Sequence, residues 1–155
     1  MKSMKKQLVF LAVSVSVVGA LGAIYISREA VQLPVAEKTV QLSVGSSTVR
    51  AFIAETPQEK KKGLSGRPAL GDTEGMFFRF DSPDLYSFWM KDMLMPIDII
   101  WIDSDYSVAD ITPDVRPESY PNLFYPKVPV QYVLEVQAGW ANAHDVKIGD
   151  RVGSY

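Results

Sequence analysis

The segment Ile97–Ile102, with the sequence IDIIWI, constrains the fold more than any other part of this chain. Successive side chains of a β-strand point to opposite faces of a sheet. With this alternation both faces of the segment are apolar, apart from the single carboxylate of Asp98. A strand that is apolar on both faces is typical of one covered on both sides. The segment therefore predicts a strand packed between two other parts of the chain.

Asp98 is the one side chain of this segment that does not suit a core. A buried carboxylate needs a cation or several hydrogen-bond donors, because otherwise its charge is costly and its pKa rises. Two cations are candidates: Arg67, and Lys91, which precedes Asp98 across the turn that ends at Pro96. Asp98 therefore predicts either a structural ion pair or the rim of a site.

The chain from Lys38 onward is predicted to form short strands separated by turns. The predicted strands are 39–44, 48–54, 76–80, 86–90, 97–102, 108–112, 131–137 and a last strand within 145–152. Gly45-Ser46 suits a hairpin turn between the first two strands. This pattern predicts a mostly β (α+β) domain, a compact antiparallel β-barrel or sandwich-like fold with one or two short helices. A hydrophobic N-terminal helix is expected to precede it.

One helix start is well marked. The sequence TPQE at 56–59 supplies a threonine at the N-cap, a proline at the first helical position and Glu59 at the third, which is a capping box. Three lysines, Lys60 to Lys62, suit the C-terminal end of a helix dipole, and Gly63 suits its stop. The pattern predicts a helix over 57–62 with a solvated lysine end. A second helical turn is expected within 138–144.

Residues 113–130 hold five prolines and several aromatic side chains, which predicts a long structured loop. Exposed rings could stack on a sugar or grip a peptide, or they could close one end of the barrel as core. The candidate ligand contacts are Trp89, Tyr120, Phe124, Tyr125 and Trp140.

The N-terminus predicts an export signal or a membrane anchor. Lysines dominate residues 2–6, and the 19 residues from Leu8 to Ile26 carry no charge. As a helix this run would be about 28 Å long, close to the ~30 Å hydrocarbon core of a bilayer. A signal peptide cleaved after Gly22 and an uncleaved anchor are both compatible, and the length favours the anchor. We expect a signal anchor or signal peptide at 1–28, a linker at 29–37 and one β-rich domain at 38–155, on the outer side of the cell membrane, or secreted after cleavage.

Composition excludes several classes of site. The 155 residues include no cysteine and one histidine, His144, so disulfides, thiolate sites and multi-histidine metal sites are impossible within one chain. Four of the 16 basic residues and none of the 18 acidic ones lie in residues 1–28, which leaves a charge of about −6 on the rest. Such an acidic body lacks the basic surface that nucleic-acid binding requires. We expect no metal, no cofactor, no nucleic-acid partner and a monomer, and we expect His144 to lie at the surface.

Six short blocks of the chain resemble one family. They are GLSGR (63–67), EGMFF (74–78), FWMK (88–91), PIDI (96–99), LEVQAG (134–139) and IGD (148–150). Their order resembles the domain of unknown function 192 family of bacteria and archaea, over about residues 40–153. The resemblance implies a small, compact β-rich fold and brings no established activity. The chain departs from the family at Ser65, where a methionine is common, and at Asp92-Met93, where Asn-Thr is common.

The resemblance also places Arg67, Lys91, Asp98 and Glu135 at motif positions. Strand parity alone puts Glu135 on a solvated face, so the resemblance is what makes it a candidate. These four side chains could form a structural salt-bridge cluster that pins strands together. Alternatively Asp98 and Glu135 could form a carboxylate pair for acid–base work, tuned by the two cations.

Two functions remain open from the sequence. The first is a non-catalytic binding or envelope-structural module, with an envelope glycan or a protein as partner. The second is a carboxylate-dependent hydrolase or lyase that acts on an envelope glycan or another polymer. The export signal and a family without known catalysis favour the first. The two differ in whether water or a ligand can reach the charged residues.

Overall fold

The computed structural model describes residues 38–154. The expected anchor at 1–28, with its span from Leu8 to Ile26, and the linker at 29–37 lie outside the described residues. Within residues 38–154, no helix is both long enough and apolar enough to cross a membrane.

Residues 38–154 form seven strands and two short helices, which confirms the mostly β prediction. The elements are β1 (Thr39–Val44), β2 (Ser47–Ala54), α1 (Pro57–Lys62), β3 (Glu74–Asp84), β4 (Ile97–Ile102), β5 (Val108–Val115), β6 (Val130–Gln137), α2 (Trp140–Ala143) and β7 (Val152–Ser154), with a single 3-10 turn at Pro117–Ser119.

The seven strands form one curled sheet, a half-barrel, in the order β5-β4-β6-β3-β2-β1-β7. Every pairing is antiparallel except that of β2 with β3, which is parallel. Parallel neighbours need a crossover connection, and residues 55–73 with α1 supply it. The edge strands also approach each other, because Val108 donates to the carbonyl of Asp150 at 2.9 Å and Val152 donates to that of Tyr106 at 2.8 Å.

Side chains from all seven strands meet on one face of the sheet, which we call the inner face. Its buried cluster also takes in α2 and seals the interior of the curl. The members are Leu42, Val44, Val49, Ala51, Phe77, Ile100, Ile102, Val108, Tyr132, Leu134, Val136, Trp140, Ala141, Val146 and Val152.

The opposite, outer face carries a second buried cluster, formed by the central strands and the loops that cover them. The members are Ala54, Leu64, Leu70, Met76, Phe78, Met90, Met93, Met95, Ile97, Ile99, Trp101, Val115, Val130 and Val133. All six residues of β4 are therefore buried, as a strand that is apolar on both faces predicts.

The prediction of a strand at 86–90 is wrong. Only Phe88 pairs with another strand-like residue, Phe124, through two backbone hydrogen bonds of 3.0 and 2.8 Å. The ring of Phe88 instead packs edge-on against Phe78 and Trp101, with centroids 4.9 and 5.4 Å apart. Apolar alternation in this segment thus reflects rings that dock on the outer cluster, not a sheet ladder.

The loop predicted at 113–130 begins later than expected, since β5 continues to Val115. Asp110 holds the end of this loop, because its carboxylate accepts hydrogen bonds from the side chain (2.9 Å) and the backbone (3.3 Å) of Lys127. Asp110 is buried. The alternating sequence pattern of 108–112 does not indicate that its carboxylate forms an ion pair.

Helix α1 has the predicted capping box. Thr56 Oγ1 accepts from the backbone of Glu59 at 3.2 Å, and Glu59 Oε2 accepts from the backbone of Thr56 at 2.9 Å. The helix ends at Gly63, whose N–H donates to the carbonyl of Glu59. This short helix therefore has fixed ends, and its last turn carries Lys60, Lys61 and Lys62.

Replacing Gly75 with alanine tests how closely β3 and β6 approach. A Cβ at Gly75 would lie 2.8 Å from the carbonyl oxygen of Glu135 and 3.1 Å from Leu134 Cδ1, and backbone cannot move aside cheaply. We expect Gly75→Ala to lower the free energy of unfolding by at least about 2 kcal/mol in urea titrations. Gly71→Ala is the control, because its new Cβ would meet only the flexible side chain of Glu74 at 3.4 Å. Equal stabilities for the two variants would contradict the close approach.

Candidate functional site

Asp98 lies on the inner face, almost fully buried, and backbone N–H groups satisfy its carboxylate. Oδ1 accepts from Asp114 at 2.9 Å and from Gly139 at 3.1 Å, and Oδ2 accepts from Ala141 at 3.0 Å. Gly139 is the N-cap of α2 and has no side chain to cap the helix. The carboxylate of Asp98, on β4, therefore caps helix α2, and it also holds the end of β5 in place.

The expected ion pair of Asp98 with Arg67 or Lys91 is wrong. The guanidinium of Arg67 lies over the ring of Phe52, 4.2 Å from its centroid, on the outer side of β2. Lys91 is exposed in a turn. Backbone N–H groups can satisfy a buried carboxylate without any cation. The donors from Gly139 and Ala141 are far from Asp98 in the sequence, so the sequence did not indicate them.

The two family blocks that contain Arg67 and Lys91 do meet, but through their backbones. Ser65 Oγ donates to the carbonyl of Lys91 at 2.9 Å, and the N–H of Gly66 donates to the carbonyl of Asp92 at 2.8 Å. These bonds hold the turn after α1 against the turn after Met90. They fix the position of both segments over the outer face of the sheet.

Glu135 lies on the opposite face from Asp98. In the sheet register Glu135 stands beside Ile99 and Met76, both members of the outer cluster, whereas Asp98 stands beside Val136 of the inner cluster. The structure therefore does not bring Arg67, Lys91, Asp98 and Glu135 into one cluster. It also rules out the carboxylate pair, because the sheet itself separates the two acids.

Glu135 is 96 % buried, since only 4 % of its surface is exposed, although strand parity alone put it in solvent. The covering loops that turn the outer face into a core explain the difference. Oε2 has no hydrogen-bond partner in the described structure. Burial raises the pKa of the Glu135 carboxyl from its ordinary value of 4.5 to about 8, so the group is mostly neutral near pH 7.

A cavity of about 400 Å³ leads from the surface to Glu135. Aromatic and apolar side chains form its walls, namely Phe78, Phe80, Tyr86, Phe88, Trp89 and Leu123. The end of α1 contributes Lys60, Lys61 and Lys62 to its lining. Volumes of this order are typical of small-molecule sites, which are mostly apolar with a few polar groups. Glu135 is thus a single polar group at the inner end of an aromatic cavity.

A second depression, of about 630 Å³, lies on the other side of the turn at 63–66 and includes Phe52, Arg67 and Met76. It is larger than the first, but Glu135 is not part of its lining. We take the first cavity as the candidate site, because a buried polar atom without a partner is a stronger sign of a ligand than volume is.

The five aromatic candidates take four different positions. Trp89 lines the cavity and is 43 % exposed, and Tyr120 packs edge-on against it with centroids 6.2 Å apart. Tyr125 is exposed, and Phe124 is half-buried in the bridge with Phe88. Trp140 is a core residue of the inner cluster instead of an exposed contact, and its Nε1–H donates to the carbonyl of Asp72 at 2.9 Å.

Sequence reasoning missed most of the cavity. The sequence predicts Phe78, Phe80 and Phe88 within strands and Lys60–Lys62 at a solvated helix end, whereas the structure places all six in the lining of the cavity. The order of strands β3, β6 and β4 is what brings these segments together over Glu135, and the sequence carries no direct signal for that order. His144, expected at the surface, is half-buried with its ring 4.3 Å from that of Trp140.

Comparison with known proteins now assigns the family. The sequence pattern of the DUF192 family, described as Uncharacterized ACR, matches residues 39–154. This chain belongs to the DUF192 family. The resemblance drawn from the six blocks is therefore confirmed, and it extends over almost all the described residues.

Two solved structures resemble this DUF192 chain. One, from Sinorhizobium meliloti 1021, is described as a candidate transcription regulator; it has 26% sequence identity and a TM-score of 0.74, over 77% of this chain and 96% of that one. The other, a protein of unknown function from Novosphingobium aromaticivorans DSM 12444, has 32% identity and a TM-score of 0.69, over 78% of this chain and 89% of that one. No curated protein matches this chain significantly.

Asp98→Asn tests the capping role of Asp98. The amide keeps the shape of the side chain, but it loses the charge and turns a donor toward one of three backbone N–H groups. We expect the free energy of unfolding to fall by about 2–4 kcal/mol in urea titrations, because hydrogen bonds to a charged group are stronger than neutral ones. Asp105→Asn, at an exposed turn position, should change it by less than about 0.5 kcal/mol. A stable Asp98→Asn variant would contradict this role.

Glu135→Gln tests the burial of the carboxyl through the pH dependence of stability. Between pH 4.5 and about 8 the unfolded chain releases a proton that the folded chain keeps. The stability of the wild type should therefore fall as pH rises through this window, by up to about 1.4 kcal/mol per pH unit. Glutamine does not titrate, so the variant should lack this slope and be the more stable form above pH 7.

Urea titrations at several pH values between 4.5 and 8.5 give the two slopes. Glu118→Gln, which removes an exposed glutamate, controls for the lost charge and should keep the wild-type slope. A slope that survives in Glu135→Gln would mean that the carboxyl of Glu135 is not the buried proton carrier.

Proposed function

We propose that this chain is a non-catalytic binding module and that its site is the aromatic cavity that ends at Glu135. One observation supports the proposal above all others: Glu135 Oε2 is buried and has no hydrogen-bond partner in the described structure. Leaving a buried polar atom unpaired costs about 1–3 kcal/mol, and such atoms are rare in native proteins. A ligand that supplies the missing hydrogen bond accounts for its presence.

The construction of the cavity also favours ligand binding over plain packing. The turn at 63–66 and the turn at 91–92 are locked together by backbone hydrogen bonds, so one side of the cavity is fixed before any ligand arrives. Phe88 is fixed by its bridge to Phe124 on the other side. A preformed cavity binds a small ligand with less loss of conformational freedom than a flexible surface does.

We propose in addition that residues 1–28 hold the domain on the outer, periplasmic or extracellular, side of the cell membrane. The lysines of residues 2–6 and the uncharged run from Leu8 to Ile26 support this placement. If the chain were cleaved after Gly22, the same domain would be secreted. In either case the binding module would act as a monomer and would meet its ligand outside the cytoplasm.

Nucleic acid is not part of the proposal. The related structure from Sinorhizobium meliloti is described as a candidate transcription regulator, but residues 29–155 of this chain carry about −6 in charge. Phosphate backbones require a basic surface, because most of the affinity comes from lysine and arginine contacts. The composition of this chain therefore favours a ligand other than DNA or RNA.

An enzyme is the second candidate, and the raised pKa of Glu135 is the observation that favours it. A carboxyl with a pKa of about 8 could donate or accept a proton near neutral pH. The proposed two-carboxylate chemistry, however, has no second acid, since Glu135 is the only carboxylate among the described residues that line the cavity. Glycoside hydrolysis of the usual kind needs two. Binding is therefore the better-supported function.

An envelope glycan remains a candidate ligand because aromatic faces are exposed at the mouth of the cavity. Trp89 lines the cavity and is 43 % exposed, and its neighbour Tyr120, outside the lining, is 46 % exposed. An exposed indole is a common platform for a sugar ring. A panel of oligosaccharides therefore belongs in the first search for ligands, beside small aromatic molecules.

A fluorinated-fragment screen by NMR, with the oligosaccharide panel beside it, tests the site. We expect hits at millimolar ligand that disappear in Ser87→Trp, because Ser87 is exposed and lines the cavity, so that a tryptophan would fill it. Ser104→Trp, at an exposed turn outside the cavity, is the matched control and should keep the hits. Blank screens, or hits that survive in Ser87→Trp, would contradict the proposal.

A further inference from the structure

We propose that the ligand is a small organic acid with an apolar, ring-shaped body and a hydroxyl group at the end opposite its acid. This inference rests on the proposed function, because it describes the occupant of the same cavity. It follows from three features of that cavity, which are its lysine-rich mouth, its aromatic walls and its single polar group at the inner end.

The mouth of the cavity favours an anion. Lys60, Lys61 and Lys62 all contribute to the lining, and the first of them lies 4.6 Å above the ring of Phe80. The one acid of the lining, Glu135, is mostly neutral near pH 7. The cavity is therefore net positive although the domain as a whole is acidic, so an amine would be repelled where a carboxylate would be attracted.

The walls favour a flat apolar body. Phe80 and Tyr86 stack with ring centroids 3.6 Å apart, and Phe88 stands edge-on to Phe80 at 6.5 Å. An aromatic or alicyclic ligand packed against such rings gains from ring contacts beyond simple burial. A chain of polar groups would gain nothing along these walls and would lose its hydration.

The inner end favours a hydroxyl group. Glu135 stands between Met76 of β3 and Ile99 of β4, neither of which can donate or accept a proton. The titratable side chains that line the cavity with it are the three lysines of α1 and Tyr86. A hydroxyl both donates and accepts, so it can pair with Glu135 whether the carboxyl is protonated or ionised.

The two polar ends of the cavity are well separated. Lys61 and Lys62 are exposed at the surface, whereas Glu135 is only 4 % exposed. Glu135 Oε2 has no hydrogen-bond partner among the described residues, so no lysine of α1 reaches it. A ligand that satisfies both ends therefore needs an apolar spacer between its acid and its hydroxyl, which the aromatic walls are suited to hold.

Three related probes separate these features by isothermal titration calorimetry on the full chain. They are para-hydroxyphenylpropionate, phenylpropionate without the hydroxyl, and para-hydroxyphenylpropanamide without the charge. We expect the first to bind about fivefold to tenfold more tightly than the second, as one hydrogen bond predicts. It should also bind about threefold to fivefold more tightly than the amide, and this second difference should shrink at high salt.

Two variants assign each preference to its residues. In Glu135→Leu the preference for the hydroxyl should vanish while the preference for the charge stays. The variant should fold, because leucine replaces a buried carboxyl that has no hydrogen-bond partner at Oε2. In the triple variant Lys60→Gln, Lys61→Gln, Lys62→Gln the charge preference should vanish while the hydroxyl preference stays. Lys147→Gln, at an exposed lysine outside the lining, is the matched control and should keep both.

The outcomes separate this inference from the function on which it rests. If no probe binds, but fragments bind to the wild type and not to Ser87→Trp, the ligand class is wrong and the binding function stands. If neither probes nor fragments bind, both are wrong. A hydroxyl preference that persists in Glu135→Leu also overturns the inference, because the hydroxyl would then not meet Glu135.

Discussion

The carboxylate of Asp98 is the interaction on which the rest of the fold depends. From β4 it accepts hydrogen bonds from the end of β5 and from the first turn of α2, two segments that are far apart in the sequence. Helix α2 closes the inner face with Trp140 and Ala141, so the seal of that core depends on the position of one side chain. A buried carboxylate that accepts three backbone hydrogen bonds needs no cation, and its burial keeps a ligand from it.

Glu135 is also a buried acid, but it lacks the hydrogen bonds that satisfy Asp98. It lies one strand away from Asp98 but on the other face, where no backbone donor reaches Oε2 within the described residues. A sheet with two covered faces thus permits two separate environments for two carboxyl groups, one sealed and one open to a cavity. The first stabilises the domain, whereas the second lowers its stability at neutral pH and leaves a polar group for a ligand.

The sequence predicted the elements better than it predicted the site. Alternation and the capping box identified β1, β2, β4, β6 and α1, because these signals depend on neighbours along the chain. The order of strands in the sheet depends on long-range pairing, and it decides that Asp98 and Glu135 face apart. For the same reason alternation misassigned 86–90, whose rings dock on the outer cluster, and placed Glu135 in solvent. The family resemblance marked the right residues, but it could not tell which of them share a face.

This chain departs from the pattern common in its family at three positions, and two of them line the cavity. Asp92 has a positive φ of 57°, a conformation that asparagine and aspartate tolerate better than other residues, so aspartate can replace the common asparagine there without a change of backbone. Ser65 stands where the family commonly has methionine, and Met93 where it commonly has threonine, and both residues line the cavity. The side chain of Ser65 is short and polar and that of Met93 is long and apolar, so both help to set the shape of the cavity. Because shape and a few polar groups determine which ligand a cavity takes, these two positions bear on the ligand of this chain.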